Sequence, residues 1–96
     1  MFILHLDLAI KQGNDSGFEV FYRDVFYKAI AKQPGFSQTQ LLRDKVPQSR
    51  THRLVIAFEN EDLQKRWVAS ELHRDVSARL QEYIAKVCAA DSFDAC

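Results

Sequence analysis

The sequence has no excess charge of either sign: among 96 residues, thirteen Lys and Arg balance thirteen Asp and Glu. A chain without surplus Lys and Arg lacks what phosphate-backbone binding rests on, so nucleic acid is not an expected partner. The one local group of basic residues, Lys45, Arg50 and Arg53, reads as a solvated hairpin tip. Cysteine is scarce. The two present, Cys88 and Cys96, form no C-x-x-C pair, so there is no thiolate zinc signature, and Cys88 reads as a small core hydrophobe. His5 and His52 have no evident third ligand, and no metal site is expected. No apolar run is long enough to span a bilayer, and no basic segment precedes the first apolar residues. The expected setting is the cytoplasm, with reduced thiols and no membrane partner. Repeats and low-complexity segments are also missing.

What is present is period. FILHLDLAI (2–10) alternates, with Phe2, Leu4, Leu6, Leu8 and Ile10 on one face, which predicts a strand with one apolar side. KQGNDSG (11–17) is a turn, and Ser16 with Glu19 matches a capping box. Phe18, Phe21, Tyr22, Val25, Phe26, Ala29 and Ile30 then recur at helical spacing, predicting a helix over about 17–32 that Pro34-Gly35 ends. A second strand is expected over 36–46, with Phe36, Gln38, Gln40, Leu42 and Val46 on one face. VPQSR (46–50) reads as a hairpin turn, and THRLVIAFE (51–59), apolar on both faces, as a central strand covered on both sides.

Asn60 fits the cap of a short helix with Glu61 and Asp62 in its first turn. Leu63 and Trp67 point the same way one turn apart. Ser70 fits the cap of a further helix, whose apolar stripe is Leu72, Val76, Leu80, Tyr83, Ile84 and Val87 and which is expected to run to about 87. Ser92–Cys96 reads as a short fourth strand or a frayed tail. The order β-α-β-β-α(α)-(β) is the split βαβ, ferredoxin-like arrangement: a single α+β domain over 1–96, with an antiparallel sheet, helices on one face, and the first and third strands in the centre.

RLVIAFENEDLQKRWVASELHRDV (53–76) and KQPGFSQTQ (32–40), taken with this order of elements, resemble the antibiotic biosynthesis monooxygenase family. The shared pattern is an apolar strand, a turn, a short helix carrying an aromatic (Trp67), a small residue (Ser70) and a histidine opening the last helix (His73). The resemblance implies a homodimer, a dimeric α+β barrel in which two sheets meet by their helix-free faces. Ile3, Ala9, Val55 and Ala57 lie on faces assigned away from the helices, where a dimer would hide them. It also implies a cavity between sheet and helices and, in some members, oxygenation of aromatic molecules by O₂ with no metal, flavin or haem. Such chemistry needs an apolar pocket, a group that takes a phenolic proton and donors for the resulting oxyanion.

On that resemblance Trp67, Tyr22 and Phe26 are the substrate-binding candidates, and His73 and Asn60 the catalytic ones. No cofactor is expected. A haem-degrading branch places its iron ligand near Ser77, which cannot replace an imidazole. Each candidate has a plainer role beside it. Trp67 serves as a core anchor, Asn60 as a helix cap, and His73 as a helix-terminus residue whose imidazole the helix start favours in neutral form. Two functions therefore stand. One is a cofactor-independent monooxygenase acting on a small aromatic or quinol-type molecule. The other is a non-catalytic homodimeric module that binds a small apolar ligand or serves as a stress-associated interaction unit. At least two polar side chains converging beside Trp67 would favour the first.

Overall fold

The structure, a computed structural model, describes residues 1–46 and 51–96. Four antiparallel strands form one sheet in the order β2-β3-β1-β4. These are β1 (Phe2–Ile10), β2 (Phe36–Arg43), β3 (Thr51–Phe58) and β4 (Ile84–Asp94). A continuous helical run, α1, connects β1 to β2. It is α-helical over Asp15–Phe21, π-helical over Tyr22–Phe26 and α-helical again over Tyr27–Ile30. Two further helices, α2 (Glu61–Ala69) and α3 (Glu71–Leu80), lie between β3 and β4. The expected ferredoxin-like α+β fold is therefore present, with β1 and β3 in the centre. The hairpin turn expected at 46–50 lies, beyond Val46, outside the described residues.

The alternation of β1 sets the layers. Phe2, Leu8 and Ile10 are buried on the helix side, as are Leu54, Ile56 and Phe58 of the neighbouring β3. Phe18, Phe26, Ile30, Trp67 and Val76 cover them from the helices. Val55 and Ala57 on the opposite face are buried too, as expected for a central strand. Gly35, at φ 77°, makes the left-handed turn from α1 into β2, and an added Cβ there would collide with Leu63.

Four expectations need correction. First, α3 ends at Leu80 and β4 runs for 11 residues, so Tyr83, Ile84 and Val87 do not continue the helix. The pairing with β1 slips between Asp7 and Leu8 and between Ala9 and Ile10, leaving Cys88 and Ala85 as extra residues. These bulges break the period of two and give Ile84 and Val87 a helical-looking spacing of three. Second, β2 slips between Phe36 and Gln38, which puts Phe36 on the face of Thr39 and Leu41 rather than of Gln38 and Gln40. Third, α1 starts at Asp15 without a side-chain cap. Glu19 pairs with Arg43 and His52 instead of reaching back to Ser16. Fourth, Cys88 is exposed rather than in the core.

Candidate functional site

The junction of α2 and α3 is built by two caps. The Asn60 side chain accepts from the backbone N–H of Leu63 at 3.0 Å. Ser70 is extended (φ −78°, ψ 154°) and accepts from the backbone N–H of His73 at 3.1 Å, while its hydroxyl donates to the Trp67 carbonyl at 2.7 Å. One serine thus ends α2, starts α3 and fixes Trp67 relative to His73. Their rings meet edge to face with centroids 5.0 Å apart. Trp67 is 2% exposed.

These two rings open onto a cavity of about 160 Å³ between the sheet and α2–α3. Its floor is apolar: Leu8, Leu54 and Ile56 from the sheet, Phe26 from α1, and Trp67 and Val76 from α2 and α3. The half-buried Leu4 and Leu6 extend the floor, and the exposed Val68 and Val87 stand at the mouth. Four polar side chains enter one wall: Gln64 on α2, His73 and Ser77 on α3, and Gln81 just past its end. Burial lowers the His73 pKa below the usual imidazole value, so the ring is neutral and free to accept a proton at neutral pH. Larger hollows of about 370 and 460 Å³, beside Asp7–Arg53 and between α1 and α3, are open surface grooves.

The site residues expected from the sequence are only partly brought together. Trp67, His73 and Phe26 line the cavity. Asn60 does not, because it is exposed and its side-chain oxygen is held by the α2 cap. Tyr22 does not either. Its ring stacks on Phe26 at 5.7 Å, and its hydroxyl donates to Thr39 Oγ1 at 3.3 Å, which in turn donates to the Val55 carbonyl at 2.8 Å. The π-helical stretch spans both rings, so Tyr22 braces Phe26 from behind. Gln64, Ser77 and Gln81 were not singled out as binding residues from the sequence. The spacing of four from His73 to Ser77 to Gln81 is the signal that would have found the last two.

A second polar cluster was also missed. His52, 1% exposed, meets Glu19 at 2.7 Å, and Glu19 accepts from Arg43 Nε at 2.8 Å. The Arg43 guanidinium, with help from His52, holds the Glu19 carboxyl down at about 2. The cluster ties α1 to the paired residues Arg43 of β2 and His52 of β3 and stands apart from the cavity. Among the described residues, no group of three or more His, Cys, Asp or Glu side chains is placed to hold a metal ion. Nor is any helix among them long and apolar enough to cross a membrane.

The fold and the cavity define a ferredoxin-like α+β domain with a ligand-sized hollow between its sheet and its helices. No protein-family model matches the chain, and no curated protein matches it in sequence. Solved structures do match. SnoaB, described as a cofactor-independent oxygenase from Streptomyces nogalater, superposes with a TM-score of 0.84 at 18% identity, over 98% of this chain and 91% of its own. Proteins from Bordetella bronchiseptica (TM-score 0.86, 14% identity, 99% and 96% of the two chains) and Caulobacter crescentus (0.85, 19%, 99% and 89%) carry the provisional name antibiotic biosynthesis monooxygenase. The fold expected from the resemblance is the fold this chain shares with them.

Proposed function

We propose that the protein is a homodimeric, cofactor-independent monooxygenase that oxidises a small aromatic or quinol-type molecule in the cavity beside Trp67. One observation carries this: a neutral, half-buried imidazole at the edge of an apolar cavity, accompanied by three further polar side chains. A cavity lined by apolar groups alone would have favoured a binding module. The fold shared with a cofactor-independent oxygenase supports the same reading.

In the proposed reaction His73 takes a phenolic proton, and the electron-rich phenolate reacts with O₂. The substrate supplies four electrons: one oxygen atom enters at a ring carbon, the other leaves as water, and a diol ends as a hydroxyquinone. The apolar floor strengthens the electrostatic attraction between the phenolate and the new imidazolium. The test is O₂ uptake with a hydroquinone under air. His73→Ala should slow it by about 10²–10⁴-fold. Because the base must be neutral and its pKa is lowered, the rate should fall with acid only below the usual imidazole value of about 6.5. Equal rates in wild type and variant would remove His73 from the mechanism.

A further inference from the structure

The polar wall of the cavity is a regular device. His73, Ser77 and Gln81 follow one another at intervals of four residues along α3 and the turn that ends it, and all three line the cavity. Each step is about 6 Å along the helix axis. Their side chains make no hydrogen bond among the described residues: His73 donates only its backbone N–H, to Ser70, and Ser77 and Gln81 bond to each other through backbone atoms. Val76, between His73 and Ser77 in sequence, is buried. The two polar groups therefore reach the cavity beside a packed residue, where an oxygen-bearing ligand would find them free of protein partners.

The size of the cavity narrows the ligand. An apolar cavity of about 150 Å³ holds a benzene molecule, whereas pockets for drug-sized ligands start at about 300 Å³. The hollow beside Trp67, at about 160 Å³, matches one ring. Trp67, Phe26 and Leu54 close its floor with 2%, 5% and 1% exposure, so it cannot deepen without repacking the core.

We infer that Ser77 is a ligand-binding residue acting with His73 one turn away, and that the site takes one-ring molecules bearing two oxygen substituents across the ring. The spacing suits such a ligand, because para-related oxygens on one ring lie about a helical turn apart. His73 holds one oxygen, Ser77 holds the other, and the ring lies on the floor between Leu54 and Trp67. The inference rests on the cavity being the functional site, but it concerns binding and stands whether or not O₂ is consumed.

Trp67 is the only tryptophan in the chain and lines the cavity, so its fluorescence reports occupancy. The experiment titrates the full-length protein anaerobically with three probes: benzene-1,4-diol, toluene and a three-ring dihydroxyanthracene. Benzene-1,4-diol should change the Trp67 signal saturably and bind tightest. Ser77→Ala should weaken it about fivefold, the value of one neutral hydrogen bond at about 1 kcal/mol, with toluene unaffected. Ser77→Thr, which keeps the hydroxyl, should recover part of the loss, and far-ultraviolet circular dichroism of each variant checks the fold. Equal diol affinity in wild type and Ser77→Ala would overturn the assignment of Ser77. Tighter binding of the three-ring probe, or no binding of the diol, would overturn the one-ring limit. O₂ uptake in air, measured separately, tells failure of this inference from failure of the oxygenase reading.

Discussion

At the scale of single residues, environment decides role. The three histidines differ in this way. His73 stands at the edge of a cavity with its ring free of hydrogen bonds among the described residues. His52 is sealed in the core against Glu19. His5 faces the helix-free side, 5.0 Å from the ring of Phe93. Burial and partners separate them, and neither is visible in a list of histidines. Glu19 provides the residue-scale prediction. Its pKa is depressed to about 2 by Arg43 and His52. A depressed carboxylate contributes stability that is fully present above its unfolded value of about 4.3 and is lost as pH falls toward the folded value. Urea unfolding of wild type should therefore weaken between about pH 4.5 and 2, and Glu19→Gln should show a shallower loss over that window. The variant should also be less stable at pH 7, because the carboxylate that meets both His52 and Arg43 is lost. An unchanged acid slope would mean that the pair does not persist in solution.

At the scale of elements, the α2–α3 corner shows how capping sets geometry. Asn60 and Ser70 each satisfy a backbone donor at N3 of the helix they start. Both caps were legible because Asn and Ser stand directly before acidic first turns, and Ser70 also explains why 61–80 is two helices. Asn60→Ala should lower stability by about 1 kcal/mol, measured by chemical denaturation. It should leave O₂ uptake under saturating substrate unchanged, since its side chain does not reach the cavity. A large loss of rate with unchanged stability would return Asn60 to the site. β4 was the element least legible in the sequence. Its two bulges interrupt the alternation, and Ile84 and Val87 look helical until β1 supplies the register. The change to π-helical geometry at Tyr22–Phe26 was hidden for a related reason. It shifts the phase by one residue, and the stripe of aromatic residues is broad enough to read as an ordinary helix.

At the scale of the whole molecule, the helix-free face of the sheet bears on assembly. Phe93 is 49% exposed there and Leu42 46% exposed, beside the half-buried Ile3 and Ala9. The same face carries the Arg53–Asp7 pair, with Arg53 Nε 2.7 Å from the carboxylate. The proposed homodimer would cover this apolar ring. The protein should elute from a sizing column at about twice 11.1 kDa, and Phe93→Lys should shift it toward the monomer. A wild-type monomer at micromolar concentration would count against the dimeric barrel.

The sequence alone determined what depends on neighbours a few residues apart. The alternation of β1, the apolar stripe of α1, the helix stop at Pro34-Gly35 and the caps at Asn60 and Ser70 are local patterns. Their order constrains the topology, because short connections leave few ways to bury one apolar face per element. Tertiary structure decided what depends on distance in space. The slips in register of β2 and β4 exist only against their partner strands. Glu19 meets His52 across 33 positions of sequence. Whether Trp67 and His73 face a filled core or a cavity rests on how closely α2 and α3 approach the sheet, and the fit of side chains from β1, α1, β3, α2, α3 and β4 sets that approach. Packing is a property of volumes brought together from distant parts of the chain, and no local pattern encodes it.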